Sequence, residues 1–371
     1  MDLTHFLKML KEKNGSDMFL STGAPINIKV EGVLQPLGST ALPNGLVKKI
    51  AYSIMSEGQV PEFERENELN LAISLPGTGR FRVNVFKQRN EVAMVIRTIK
   101  THIPTAKELK VPELLNNLIL EKRGLILVAG ATGSGKSTTM ASMINHRNEQ
   151  MTGHILTVED PIEFMHRHKK SIVNQREIGT DTHGYAPALK SALREAPDVI
   201  LIGEIRDRDT MEAAISFAET GHLCLATIHA NNSDQAIERV LNFFPSDSHK
   251  NILLNLALNV KAIIAQRLVK DKQGLRLPAI EILMNTPMIR EMIRRGEVNK
   301  LKEAMETSLD DGMQTFDTAL YNLYKGGTIT LEEAVQNADS PQGLQVKINL
   351  SQGSRQDDEL GELRSTESSF F

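Results

Sequence analysis

The chain has 371 residues, 24% of them charged, a formal net charge of -3 and a single cysteine. At about 150 residues per domain, that length holds two domains plus appended material. Near-neutral charge supplies no bulk field for phosphate polymers or anionic lipid. The lone Cys224 excludes an internal disulfide framework and a four-thiolate zinc site within one chain, which fits a reduced cytosolic setting.

The chain opens MDLTHFLKMLKEKNGS, where Leu3, Phe6, Leu7 and Leu10 recur at i, i+3, i+4 and i+7 and predict a helix with one apolar face. That face is expected to dock on its own domain. There is no basic start followed by an apolar core, and no apolar run approaches the roughly 18 residues that span a bilayer. Neither secretion nor membrane insertion is expected.

From about residue 17 to 99 the pattern is strand-like, with Asp17 to Leu20, Ile26 to Val30 and Arg80 to Phe86 alternating polar and apolar residues. Gly and Pro punctuate these runs, and Leu46 to Met55 reads as a helix among them. Residues 1–100 are therefore expected to form a small α+β domain. The two prolines between Thr101 and Pro112 place an inter-domain linker at 101–112.

Beyond the linker and a helix at Glu113 to Glu121, short apolar strands alternate with helices. The strands are Gly124 to Ala129, His154 to Val158, Val199 to Gly203 and Leu223 to Ile228; helices are expected after the first and at Ala186 to Glu195 and Thr210 to Glu219. Strands buried on both faces and separated by helices specify a mostly parallel, doubly wound sheet, placed at 113–245. Residues 246–339 read as helical throughout, with loops at Gly274, Asn285 to Pro287 and Gly326-Gly327. Beyond Ser340 the composition turns to Ser, Gln, Gly, Asp and Glu, predicting a flexible polar tail over 340–371.

Gly130-Ala131-Thr132-Gly133-Ser134-Gly135-Lys136-Ser137 follows an apolar strand and precedes a helical composition from Thr138, as a phosphate-binding loop requires. The glycines Gly130, Gly133 and Gly135 let backbone N–H groups turn inward around phosphate oxygens, beside Thr132 and Ser134, and the helix adds its positive end. Lys136 neutralises the β and γ phosphates. The Ser137 hydroxyl is a magnesium ligand in this arrangement. ATP and Mg2+ are the expected ligands.

Three further stretches carry candidate groups. In HILTVEDPIEF a strand ends in Glu159, Asp160 and Glu163; Glu163 orients or deprotonates the attacking water, or the segment is simply an acidic helix N-terminus. In DVILIGEIRD the apolar strand ends in Gly203-Glu204, where Glu204 can hold magnesium through a water at the carboxyl edge of the sheet. Such ATPases ordinarily end this strand in Asp. In TGHLCLATIHANN, His222 and His229 bracket a strand; His229 would sense the γ phosphate at the Glu204 edge, or both are ordinary satisfied polar groups. In the first domain Arg80, Arg82 and Asn84 share a strand face and Arg97 follows the next strand. They form a solvated face, or reach a nucleotide across a domain or subunit boundary, where an arginine is worth on the order of 10³ to 10⁵ in rate.

In order, the phosphate loop, ILTVEDPIEF, DVILIGEIRD and TGHLCLATIHANN resemble the four boxes of the secretion ATPase superfamily, a likeness running from residue 1 to about 340. SDMFLSTGAPINIKVEG at the start and GRFRVNVFKQR before the loop are similar to pilus retraction ATPases of the PilT and PilU type. Assembly ATPases generally carry an extra N-terminal domain and often a tetracysteine zinc element. Met288 to Arg295 replaces the PilT signature AIRNLIRE, and with HKKSIVNQREIGTDTH and the polar tail the likeness falls closer to PilU.

That resemblance implies a hexameric ring of subunits with a PAS-like N-terminal domain, a RecA-like ATPase domain and nucleotide between them. It implies Glu163 as catalytic glutamate, Glu204 in the second acidic box, His222 and His229 in a histidine box, and Arg82 and Arg97 as nucleotide-reaching arginines. The function it implies is ATP-driven type IV pilus retraction at the inner face of the cytoplasmic membrane. A PilT-type ATPase and an inner-membrane platform protein are the implied partners. The alternatives are a nucleic-acid translocase of RecA-like ring type, disfavoured by the charge and the 4% aromatic content, and a nucleotide-gated scaffold for a partner motor. No direct nucleic-acid contact is expected.

Overall fold

Alternation builds the first sheet. Phe81, Val83 and Val85 are wholly buried on one face of their strand, while Arg80, Arg82 and Asn84 stand on the other. A computed structural model describes residues 3–307 and 312–351 of the chain. It divides into two units: residues up to Ile103 with Glu159–Arg167 and Gln175–Ala188, and Pro104–Val158 with His168–Asn174 and the chain from Leu189 onward. Two segments of the expected 113–245 core thus group with the first unit.

In the first unit β1 (Asp17–Leu20), β2 (Asn27–Val30), β3 (Val33–Pro36), β4 (Glu68–Leu75), β5 (Gly79–Gln88) and β6 (Glu91–Thr98) form a six-stranded sheet ordered β3-β2-β1-β6-β5-β4. Every pairing in it is antiparallel. The β5–β6 hairpin turns through Arg89 and Asn90, both at positive φ, the primed turn that matches strand twist. The helix Leu3–Glu12 buries Leu3, Leu7 and Leu10, as its spacing predicts. Helices Leu46–Ile54 and Gln59–Glu66 add Ile50 and Phe63 to the same core. Full burial of each such side chain stabilises the unit by about 1.5–3 kcal/mol.

The second sheet comprises β7 (Gly124–Ala129), β8 (Gly153–Glu159), β9 (Ser171–Glu177), β10 (Val199–Ile202), β11 (Leu223–Ile228), β12 (Val260–Lys270) and β13 (Arg276–Met284), ordered β13-β12-β7-β11-β10-β8-β9. The inner pairs β12–β7, β7–β11, β11–β10 and β10–β8 are parallel, and β12–β13 is antiparallel. This is the expected doubly wound architecture with β7 near its centre, so the carboxyl ends of β7, β10 and β11 share one edge. The linker carries the helix Ala106–Leu109, capped by Thr105 and Glu108 in a reciprocal box.

Two expectations for the C-terminal part fail. Residues 246–339 are not helical throughout, because β12 and β13 lie within them, joined at Gly274. The apolar run of β12 follows the helix His249–Asn259 without a break, which disguised the change of period; its Ala262 to Ala265 are buried on both faces. Nor does a flexible tail begin at residue 340. Residues 341–351 are helical, with Leu344 and Ile348 buried one turn apart; residues 352–371 lie outside the described residues.

A buried acid cluster lies where the helix Ser233–Leu241 meets β13. Glu281 is 2% exposed and accepts from the Ser233 amide at 2.7 Å and hydroxyl at 2.8 Å. Burial, then the Glu281 charge, pushes the neighbouring Asp234 carboxyl from its ordinary 3.8 up to about 7, against the Lys302 ammonium. The native chain therefore keeps a proton here that the unfolded chain releases, so this contribution to stability is full below pH 3.8 and lost as pH rises through about 7. Asp234→Asn is expected to raise the melting temperature by a few degrees at pH 8 and not at pH 3.5. Equal differences at both pH values would contradict the assignment.

Candidate active site

The phosphate loop leaves the end of β7 and enters the helix Lys136–Gln150 through Gly135, at φ 89°. Gly130 and Gly133 also have positive φ, of 156° and 79°, which side-chain-bearing residues rarely adopt. Such angles are what a phosphate-binding loop uses to turn its N–H groups inward, and the helix that follows has no partners within itself for the N–H groups of its first turn. Lys136 Nζ donates to the loop's own carbonyls, Gly130 O at 2.7 Å and Ala131 O at 2.9 Å. Burial lowers its pKa and the Glu204 charge opposes that. Among the described residues its hydrogen-bond partners are these two neutral carbonyls, and a half-buried ammonium so placed is poised for an anion.

Glu204 stands two residues past the end of β10, at the same edge. Gly203 N donates to Val158 O at 2.8 Å and Ile205 N to Thr227 O at 2.8 Å, so main-chain bonds fix the backbone on either side of it. Its Oε1 lies 2.7 Å from His229 Nε2, and its Oε2 lies 2.6 Å from the Arg206 guanidinium. His229 follows β11 directly and is exposed. Since Ile228 pairs with Ala129 and Ile202 with Ala226, the structure brings Gly130, Lys136, Glu204 and His229 to one sheet edge.

His222 is not brought there. It precedes β11, whose Leu223 pairs with Gly124, and so lies at the opposite edge, a six-residue strand away from His229. Its Nδ1 is 3.0 Å from Thr220 Oγ1 and 3.1 Å from Phe217 O, and its ring meets Phe217 edge-on. A histidine capping a helix end is the local role this geometry gives it.

In the first unit Arg82 on β5 pairs in register with Arg97 on β6, and Arg97 pairs with Asp17 on β1. Arg97 Nε donates to Asp17 Oδ1 at 2.7 Å, and the carboxylate is held in turn by the Ser16 hydroxyl at 2.8 Å. Asp17 first and Glu163 second raise the Arg97 pKa. Glu163 is exposed between buried Ile162 and Phe164. Gln175 fixes this segment, donating to Phe164 O at 2.9 Å and accepting from His166 N at 2.8 Å, while Glu177 accepts from Ile162 N at 3.2 Å. The anchors are inward-facing, which leaves the Glu163 carboxylate turned out.

Gln175, Glu177 and Asp17 support candidate groups, and sequence reasoning missed the part each of them plays. Asp17 lies in SDMFLSTGAPINIKVEG and Gln175 and Glu177 in HKKSIVNQREIGTDTH, stretches read for family likeness alone, and the groups they hold lie outside those stretches.

The residues present fit a nucleotide and a hard divalent cation. The Ser137 hydroxyl and the Glu204 carboxylate are oxygen donors at one edge, as magnesium requires. A cavity of ≈ 480 Å³ borders the loop, lined among others by Ala131, Thr132, Gly133, Arg267, Lys270 and Arg276. Among the described residues no helix is long and apolar enough to cross a membrane.

Residues 3–334 match the profile of the type II/IV secretion system protein family. The chain is 51% identical to the type IV pilus ATPase PilU of Pseudomonas aeruginosa, over 96% of this chain and 94% of that protein. It is 41% identical to the type IV pilus retraction ATPase PilT of the same organism, over 93% of this chain and 100% of that one. A crystal structure of the pilus retraction motor PilT with bound ADP superposes with a TM-score of 0.87 at 41% identity, covering 93% of this chain and 99% of that chain.

Proposed function

The chain belongs to the type II/IV secretion system protein family, and on that premise we propose that it is an ATPase motor that drives type IV pilus retraction. The observation that carries the reading is the shared edge, where a phosphate loop with its lysine stands beside the linked Glu204 and His229. Kinship with PilU and PilT over nearly the whole chain supports the pilus assignment.

The loop amides and Lys136 grip the β and γ phosphates, and Thr138 with Ser137 closes the first helical turn on them. Magnesium, when bound through the Ser137 hydroxyl and Glu204 by way of water, offsets charge that shifts to the leaving phosphate. Glu163 orients water and accepts its proton as the new P–O bond forms and the bond to the β-phosphate oxygen breaks, releasing ADP and phosphate. His229 reports the γ phosphate to Glu204. Arg82 and Arg97 reach the nucleotide of a neighbouring subunit and stabilise the charge that develops.

The working assembly is a homo-hexamer, acting with a PilT-type ATPase and a platform protein of the inner membrane. It is cytoplasmic and reaches the membrane face through that partner. Hydrolysis in successive subunits moves the platform protein and removes pilins from the fibre base.

A translocase of the same ring type would be stimulated by its polymer. ATP hydrolysis by the purified chain is expected to stay unchanged on adding single- or double-stranded DNA. Strong, salt-sensitive stimulation would replace the retraction reading with nucleic-acid translocation.

A further inference from the structure

Gln266 lies on β12 one residue beyond Ala265, which pairs with Ala129, and so it sits beside Gly130 at the root of the phosphate loop. It is 2% exposed, an amide sealed into the sheet edge. Its Nε2 donates to Ser134 O at 2.8 Å and its Oε1 accepts from Thr139 Oγ1 at 2.7 Å. One side chain thus ties the apex of the loop to the first turn of the helix that follows. Only glycine fits where the strand presses on the loop. A Cβ at Gly130 would come within 2.7 Å of Gln266 O, and one at Gly135 within 2.7 Å of Gln266 Nε2.

We propose that Gln266 is a positioning residue for nucleotide binding: its amide holds the phosphate loop in the shape that aims its N–H groups at phosphate before nucleotide arrives. The proposal rests on the loop being the nucleotide site. The chemistry calls for an amide in particular. A donor must meet the Ser134 carbonyl while an acceptor meets the Thr139 hydroxyl, and glutamine offers both on one planar group. A leucine of similar size offers neither and leaves two buried polar groups without this partner. A glutamate keeps only the acceptor and brings a negative charge beside the loop.

The lost pre-organisation acts on ground state and transition state alike, because the loop grips phosphate in both. It is therefore felt in KM and nucleotide affinity more than in kcat.

The test compares wild type, Gln266→Leu and Thr139→Val. The readouts are the KM and kcat for ATP, the affinity for ADP with magnesium, and the rise in melting temperature that this ADP induces. Gln266→Leu is expected to raise KM and the ADP Kd roughly 10- to 100-fold, with kcat within about threefold of wild type. At concentrations that saturate wild type the ADP-induced rise should shrink to about half or less. A residue of merely structural importance would lower the melting temperature equally with and without ADP. A folded Gln266→Leu protein with wild-type KM and a full ADP-induced rise overturns the proposal. If that variant fails to fold, Thr139→Val decides, with a KM raised several-fold expected and an unchanged KM overturning it. Wild type that ignores magnesium nucleotide would sink the ATPase reading itself, an outcome that needs no variant to recognise.

Discussion

Lys136→Ala is expected to abolish measurable ATP hydrolysis, a loss on the order of 10² to 10³-fold or more, since removing one pre-organised group aimed at developing charge costs that much. The ammonium stands at the root of the loop on two of its carbonyls, Gly130 O and Ala131 O. Phosphate oxygens are stronger acceptors than carbonyls, so the side chain transfers to them without having to be recruited from water. Nucleotide affinity should fall along with rate. The fold should survive, because alanine removes a half-exposed chain and leaves the loop's glycines and the Gln266 bridge untouched. A circular dichroism spectrum and melting curve matching wild type, beside an absent phosphate signal, is the expected pair of results. Hydrolysis at the wild-type rate would show that this loop is not where ATP is turned over.

Glu163→Gln is expected to separate binding from chemistry. The substitution keeps the size of the side chain and removes its basicity, so water positioning weakens and proton acceptance is lost. General-base removal typically costs about 10² to 10⁴-fold. Affinity for ATP with magnesium should stay close to wild type, since Glu163 has no part in gripping phosphate. The segment should keep its shape, because Ile162 and Phe164 remain buried on either side and Gln175 and Glu177 still take up its main-chain groups. Rapid hydrolysis by this variant would move the base to another carboxylate. Two inactive variants, one that binds nucleotide and one that does not, would also dispose of the scaffold alternative, which predicts that wild type, Lys136→Ala and Glu163→Gln hydrolyse equally slowly.

What the sequence made legible was local. The phosphate loop is encoded in eight consecutive residues, and the β5 alternation of Phe81, Val83 and Val85 against Arg80, Arg82 and Asn84 needs only a period of two. The apolar strand Val199–Ile202, two residues before Glu204, announced its edge in the same way. What stayed hidden depended on distance or on mixed signals. Gln266 reaches back to Ser134 and Thr139, and Asp17 reaches forward to Arg97; nothing within a few residues of either hints at the partner. The strand β12 was masked because an apolar helix runs into it without a loop. The helix at 341–351 was masked because average composition outweighed the one-turn spacing of Leu344 and Ile348. His222 and His229 bracket β11 in the structure as they do in the sequence, which sets His222 at the edge opposite Glu204.

The most direct test is a titration of the purified chain with ATP in the presence of magnesium, read by calorimetry or a fluorescent analogue. Saturable binding, lost when the metal is chelated and lost in Lys136→Ala, is the predicted result. A chain that is folded yet takes up no adenine nucleotide at millimolar concentration would contradict the motor account at its root.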